Sequence, residues 1–337
     1  MTGTDAAAGP IGRRRLGQDG PEVGELAFGC MALSGLYGPA DQAEAERVIL
    51  TALDRGVTYL DTADSYGDGD NEMLLGRMLR GHREDVVVAT KFGIQREGLG
   101  RPERIRAALD ASLGRLGMEY VDIYYMHRFD PTTPIEESIG ALAELVAAGK
   151  VRHVGLSEVS AARLRAAHSV HPIAVVQQEY SLLSREPETD LLCAMRELGV
   201  GLVAYSPLSR GLLGGALRTE ADLAAYDPRR RRYPRFAPEN LPKNLALVGR
   251  LRSLADQHGL PLPVLALAWV LSRGDDVVPL FGVRSVERLE QNLAAAGVML
   301  DPGLVAELDR AAPVGAARGD RYAPQMATRL DRPPDPT

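Results

Sequence analysis

Eight short runs of mostly apolar residues punctuate the chain near 26–30, 57–61, 86–91, 121–126, 151–156, 174–179, 200–205 and 277–281. Most are apolar throughout rather than alternating, the pattern of strands buried on both faces of a parallel sheet. Between them, apolar residues recur at helical spacing near 41–55, 71–80, 101–116, 135–148, 160–168, 188–198, 243–258 and 285–296. Strand and helix alternating at this count predict a single α/β unit, a closed (β/α)8 TIM barrel with helices on its outer face. Several helix ends are legible: Asp41 as a cap, Gly56 as a stop, Pro134 at a first helical position and Gly149 as the stop that follows it. Ahead of the repeat, RRRLGQDGPEVGELAFGC reads as an N-terminal β-hairpin around a Gly/Pro turn.

Two segments depart from the repeat. Residues 206–240, after strand seven, form a long loop holding SPLSRGLLGG and the basic run Arg229 to Arg232. The end, 297–337, contains one helical stretch at 302–311 and then turns rich in Pro and Arg. Loops of such length are usually lids, binding loops or disorder. The expected organisation is a disordered N-terminus over 1–10, one barrel over 11–312 with no dividing linker, and a tail over 313–337. The tail either folds over the barrel mouth or stays disordered.

The arrangement richest in chemistry lies at strand ends. Asp61 closes VTYLD, Tyr66 follows in TADSY, Lys91 closes VVVATK and His127 closes VDIYYMH. In a parallel barrel the strand C-termini open on one face, and that face carries the active site. For a carbonyl substrate, a hydride reaching carbon leaves negative charge on oxygen, which needs a proton donor. A phenol keeps its proton at neutral pH, and a neighbouring ammonium lowers its pKa. Asp61 then anchors Lys91, and His127 orients the carbonyl. The same lysine also suits a Schiff-base lyase, with Tyr66 and Asp61 as acid and base.

Composition narrows the partners. A net charge of −6 over 337 residues gives no general affinity for nucleic acid, and 45% hydrophobic residues can fill a large core. Cys30 and Cys193, the two cysteines, lie far apart and fit a reducing cytoplasm rather than a disulfide framework or zinc site. The six histidines form no spaced cluster, so no metal is expected. The first residues lack a signal peptide's apolar stretch, and Pro263 to Leu271 is far shorter than the about 20 residues of a membrane span. The expected partner is a small-molecule carbonyl substrate, with neither nucleic acid nor membrane, and with a homo-oligomer left open.

Seven collinear stretches, LDTADSYGDGDNEMLLG, VVVATKFG, VDIYYMHRFDP, GKVRHVGLSEVS, QQEYSLLSREPE, GLVAYSPLSRGLL and GVRSVERLEQN, resemble the aldo-keto reductase family. The wording, especially HRFDP, EYSLLSREPE and the terminal GDRY, is most similar to a bacterial branch akin to pyridoxal reductases and potassium-channel β-subunits. The resemblance implies an NADPH-dependent carbonyl reductase, with Asp61, Tyr66, Lys91 and His127 as the catalytic tetrad. An NADPH-binding redox sensor of low turnover is the alternative.

The resemblance also implies an extended NADPH across the barrel mouth. Gly29, Cys30 and Met31 pass beside it, while Ser157, Glu158 and Gln177 hold the carboxamide. Tyr205 lies under the nicotinamide, and Ser206, Leu208, Arg210 and Gly211 meet the pyrophosphate. Gly282, Arg284, Arg288, Gln291 and Asn292 surround the adenine end, where two guanidiniums near a helix start suit a 2′-phosphate. The Arg229–Arg232 run is expected to fold over the cofactor. Met31, Phe92, Arg128 and Phe129, together with the loops at 33–40 and 206–240, are the candidate substrate pocket. Arg128 either holds an anionic group of the substrate or pairs with Asp130.

Overall fold

A computed structural model describes residues 11–35, 41–94, 98–224, 226–327 and 330–331. The expectation of disorder over 1–10, part of the 33–40 loop and the last residues of the tail lie outside that set. Strands β1 (Arg13–Arg15) and β2 (Glu22–Gly24) form the antiparallel hairpin. Then come β3 (Ala27–Gly29), β4 (Tyr59–Asp61), β5 (Val87–Phe92), β6 (Val121–Met126), β7 (Val151–Ser157), β8 (Ile173–Glu179), β9 (Gly201–Tyr205) and β10 (Val277–Phe281). All eight pair in parallel and close in the order β10-β3-β4-β5-β6-β7-β8-β9, the barrel expected from the pattern.

The major helices are α1 (Gln42–Asp54), α2 (Asp70–Met78), α3 (Pro102–Leu116), α4 (Ile135–Ala147), α5 (Ala161–Val170) and α6 (Leu191–Glu197). They continue with α7 (Arg229–Arg232), α8 (Leu241–Gln257), α9 (Leu262–Leu271), α10 (Val286–Leu293), α11 (Pro302–Ala311) and α12 (Pro324–Ala327). Asp41 caps α1 by accepting from the Glu44 N–H, and Gly56 turns the chain out of it at φ +85°. Pro134 stands one position earlier than expected: its ψ of 138° is extended, so it caps α4 and Ile135 begins the helix. Helix α6 starts at Leu191 rather than near 188, because Glu186–Glu188 form a separate 3-10 turn. Every residue of α9 is buried, which explains its uniformly apolar sequence as a core helix. Among the described residues no single helix is long and apolar enough to cross a membrane.

Two apolar layers result. One lies between sheet and helices; the other fills the barrel, where Tyr59, Ala89, Ile123, Tyr125, Val175 and Val203 meet Leu16 and Val23 of the hairpin segment. The Tyr59 and Tyr125 hydroxyls bond each other at 2.9 Å inside. Gly155 on β7 makes room for Tyr125: a Cβ there would stand 2.4 Å from that ring. Gly155→Ala is therefore expected to cost about 1–3 kcal/mol by overpacking. The check is the denaturant midpoint, and an unchanged midpoint would mean that the ring shifts freely.

Candidate active site

Period-two alternation along β5 sends Ala89 and Lys91 into the barrel and Val88 and Phe92 toward the helices. Lys91 is fully buried, yet each of its ammonium protons is matched. It donates to Asp61 Oδ1, to the Thr62 carbonyl at 2.7 Å and to the Tyr66 hydroxyl at 3.2 Å. Asp61 Oδ2 accepts from Gln177 Nε2 at 2.8 Å. His127 stands across from Tyr66, ring centroids 6.0 Å apart and nearly perpendicular. The four strand-end residues thus converge on one point.

Burial sets their charge states. It pulls the Lys91 ammonium down, but Asp61 and then Tyr66 outweigh it and hold the group above the usual lysine range. Burial pushes the Tyr66 phenol up, and Lys91 only partly offsets this. The expected lowering by Lys91 is present, therefore, without being the net direction. Burial, then Arg128 and Lys91, hold His127 well below the ordinary imidazole value, so it is neutral. Its Nδ1 is buried and has no hydrogen-bond partner among the described residues.

Tyr66, His127, Asp61 and Gln177 line one end of a cavity of about 1320 Å³ that runs along the barrel mouth. Pockets for single small ligands are about 300–1,000 Å³, so a substrate and a long cofactor fit together here. Of the residues expected at the cofactor, all but Cys30 and Glu158 line this space. Cys30 is buried in the outer apolar layer, and the Glu158 carboxylate turns to Arg321.

The donor set suits a dinucleotide phosphate. Side-chain amide and hydroxyl, Gln177 and Ser157, lie at the tetrad end. In the middle, Ser206, Ser209, Arg210 and Gly211 all have positive φ, a tight coil of the kind that turns backbone N–H groups toward anions. Arg284 and Arg288 stand at the far end, beside the start of α10. There Gln291 accepts through its amide oxygen, from Arg288 Nη1 at 2.7 Å, and Glu44 already accepts from the Val286 N–H at 3.0 Å. The basic run forms α7, with Arg229 and Arg232 on the cavity wall and Arg229 donating to the Arg210 carbonyl at 2.9 Å.

A second buried network escaped the sequence reading. Glu179 at the end of β8 takes both Arg210 Nη atoms, at 2.9 and 2.8 Å, and lies 3.7 Å from Arg235 and 3.5 Å from Arg321. Arg321 also pairs with Glu158 through two bonds of 2.9 and 2.8 Å. Next in the chain, Tyr322 meets the Tyr205 hydroxyl at 2.8 Å, and Tyr205 donates to Glu158. The loop after β9 and the tail are thereby tied to the mouth, and Tyr322, Gln325 and Met326 form part of the cavity wall. Asp331 accepts from the Ser160 N–H and hydroxyl at the start of α5. The signal in the sequence was the motif GDRY, whose arginine and tyrosine both become buried.

The pocket reading needs two corrections, and one of its two alternatives closes. Phe92 faces outward against Tyr124, ring centroids 4.9 Å apart, as it must one position after the inward Lys91. Phe129 lies under the Arg163 guanidinium at 3.3 Å and is off the cavity. Arg128 does not pair with Asp130, whose carboxylate is used by Gly100, Thr132 and Thr133 in a local turn. Met31 and Arg128 do line the cavity, where the aromatic walls are Tyr66, Tyr205, Tyr233 and Tyr322.

Residues 25–313 match the aldo/keto reductase family. The chain is 42% identical over 332 residues to a probable aldo-keto reductase 1 of Glycine max, covering 95% of this chain and 93% of that protein. It is 40% identical over 340 residues to the NADP(+) aldo-keto reductase yakc of Schizosaccharomyces pombe, covering 97% and 99%. Among solved structures, the glycerol dehydrogenase AKR11B4 of Gluconobacter oxydans superposes with a TM-score of 0.80 at 30% identity, covering 96% of this chain and 98% of that one. The thermostable aldo-keto reductase Tm1743, solved with the inhibitor epalrestat, gives 0.73 at 29% identity, covering 89% and 100%. The chain belongs to the aldo/keto reductase family, whose members are NADP-dependent oxidoreductases.

Proposed function

We propose that this protein reduces the carbonyl of an aldehyde or ketone with NADPH, and that Tyr66 donates the proton. The supporting observation is the relay of Asp61, Lys91 and Tyr66 beside a neutral His127 on the cavity wall. NADPH, when bound along the mouth, supplies the hydride. Gln177 and Ser157 would hold its carboxamide, and the 206–211 coil with Arg284 and Arg288 would hold its phosphates. His127 fixes the carbonyl oxygen through a ring N–H, which a neutral imidazole still possesses. Tyr66 gives its proton to that oxygen as negative charge develops. The phenolate left behind is stabilised by Lys91, 3.2 Å away, whose own charge is kept in place by Asp61.

With all three protons engaged and its pKa raised, Lys91 presents no lone pair to a substrate carbonyl, which weighs against the Schiff-base reading. For the sensor reading, the exposed large apolar side chains among the described residues are Leu50 on α1, Met73 on α2 and Val170 on α5, with Tyr226, Met299, Val314 and Met326 elsewhere. One exposed and one buried free cysteine suit a reducing compartment such as the cytoplasm.

The direct test follows NADPH absorbance with purified protein and a panel holding an activated aromatic aldehyde, pyridoxal, a dicarbonyl and a keto-sugar. Consumption with at least one of them supports the reading. NADPH binding without turnover of any member would put the sensor first. Arg288→Ala is expected to weaken NADPH binding by about tenfold, the scale of one charge-assisted contact, with little change for NADH. Equal losses for both dinucleotides, measured by fluorescence titration, would take the 2′-phosphate away from Arg288.

A further inference from the structure

We infer that Arg128 is the receptor for an anionic group on the substrate, so that the preferred carbonyl compound also carries a carboxylate. This rests on the reductase reading above. Three observations lead to it: place, pairing and field.

Arg128 directly follows His127 at the end of β6 and faces the cavity beside the tetrad. Its Nη1 donates to the His127 carbonyl at 2.6 Å and to Ser157 Oγ at 3.3 Å, which fixes the plane of the guanidinium. Among the described residues no carboxylate lies within salt-bridge distance of it. The neighbouring cations differ in this respect. Lys91 has Asp61, Arg321 has Glu158, and Arg210 and Arg235 share Glu179. Arg128 is the cation left over at the reactive end.

Arg128 is half-buried, and burial disfavours its charge; Tyr322, Tyr205 and Glu158 outweigh that from a distance and hold the guanidinium up, so a carboxylate on the substrate would add the direct ion pair that it lacks. Its planar set of donors matches a carboxylate in two-point fashion, which a lysine does not reproduce. The phosphates of the cofactor would be held by the 206–211 coil with Arg284 and Arg288, which leaves Arg128 to the substrate. Arg128 also helps keep His127 neutral, so the field that receives an anion favours charge developing on the carbonyl oxygen as well.

The test compares acids with their neutral esters at saturating NADPH: 4-carboxybenzaldehyde against methyl 4-formylbenzoate, and 4-oxobutanoate against its methyl ester. For at least one pair, kcat/KM should favour the acid by about ten- to a hundredfold, expressed mainly in KM. Arg128→Met should bring that acid-to-ester ratio close to one, and any general damage cancels in the ratio. If Arg128→Met does not fold, Arg128→Lys should still lower the ratio by more than about threefold, because the two-point contact is lost. A wild-type ratio at or below one for both pairs overturns the inference, and so does a ratio that the substitution leaves unchanged. Should the esters themselves go unreduced along with the acids, the reductase reading has failed first.

Discussion

Tyr66→Phe is expected to lower turnover of every carbonyl substrate by at least about a hundredfold, the usual worth of a positioned general acid. NADPH affinity should stay within about twofold, because the substitution removes one oxygen at the reacting point and keeps the ring. Lys91 retains Asp61 and the Thr62 carbonyl as partners, so no buried charge is abandoned. The pH profile follows from the same geometry. Burial raises the phenol above its ordinary value of 10.0, so Tyr66 holds its proton throughout the neutral range. Burial, Arg128 and Lys91 keep His127 deprotonated well below its ordinary 6.5. Neither Tyr66 nor His127 should therefore give carbonyl reduction a step between about pH 6 and 8, and Asp64, raised by burial and Glu72 to about 6, marks the lower edge of that window. Residual turnover above about a tenth in the variant, by NADPH absorbance, would remove Tyr66 from the donor's role. A step near the ordinary imidazole pKa would mean that His127 titrates freely.

What the sequence made legible divides by range. The barrel strands are continuous apolar runs bounded by Gly and polar residues, so their positions carry a local signal, and β6 and β10 lie where expected. Strand ends are equally local, which is why Asp61, Tyr66, Lys91 and His127 were found together. Phe92 departs from the pocket expectation by a local rule, since alternation along β5 sends it opposite to Lys91. The Asp130 alternative for Arg128 closes for a related reason: DPTT is a turn in which Asp bonds the residues after it, leaving nothing for Arg128. The Glu179 network had no such signal. Arg210 lies 31 positions away and Arg321 lies 142, so only the closed fold brings them together. Gln177 was expected at the cofactor, but its bond to Asp61 depends on β8 lying across the barrel from β4.

The largest stability effect is expected at Glu179, which is fully buried among Arg210, Arg235 and Arg321. Burial pushes its carboxyl up, but Arg210 first, then Arg321 and Arg235, outweigh that and hold it at about 2, below its ordinary 4.5. The sign follows directly. The unfolded chain binds this proton more readily, so the contribution is complete above about pH 4.5 and is lost as pH falls toward 2. Its size is about 3 kcal/mol, in line with breaking one side of a buried ion pair. Glu179→Gln keeps the shape and the bond from Ser184 while leaving three guanidiniums to share Glu158 and Glu186. At pH 7 the variant should be less stable by about that amount, and its acid limb should flatten between about pH 4 and 2. The ion cluster holds the 206–211 coil and the tail, whereas the barrel keeps its own apolar core. Release of those segments should therefore precede global unfolding, with cleavage near 313–327 by added protease and weaker NADPH binding. If Glu179→Gln unfolds with the wild-type midpoint at pH 7 and its tail stays protected, the cluster contributes nothing net. Desolvation would then have cancelled the attraction among the clustered charges, and the tail must be held by its remaining contacts, among them Arg321 with Glu158, Arg318 with Asn244, Tyr322 with Tyr205 and Asp331 with Ser160.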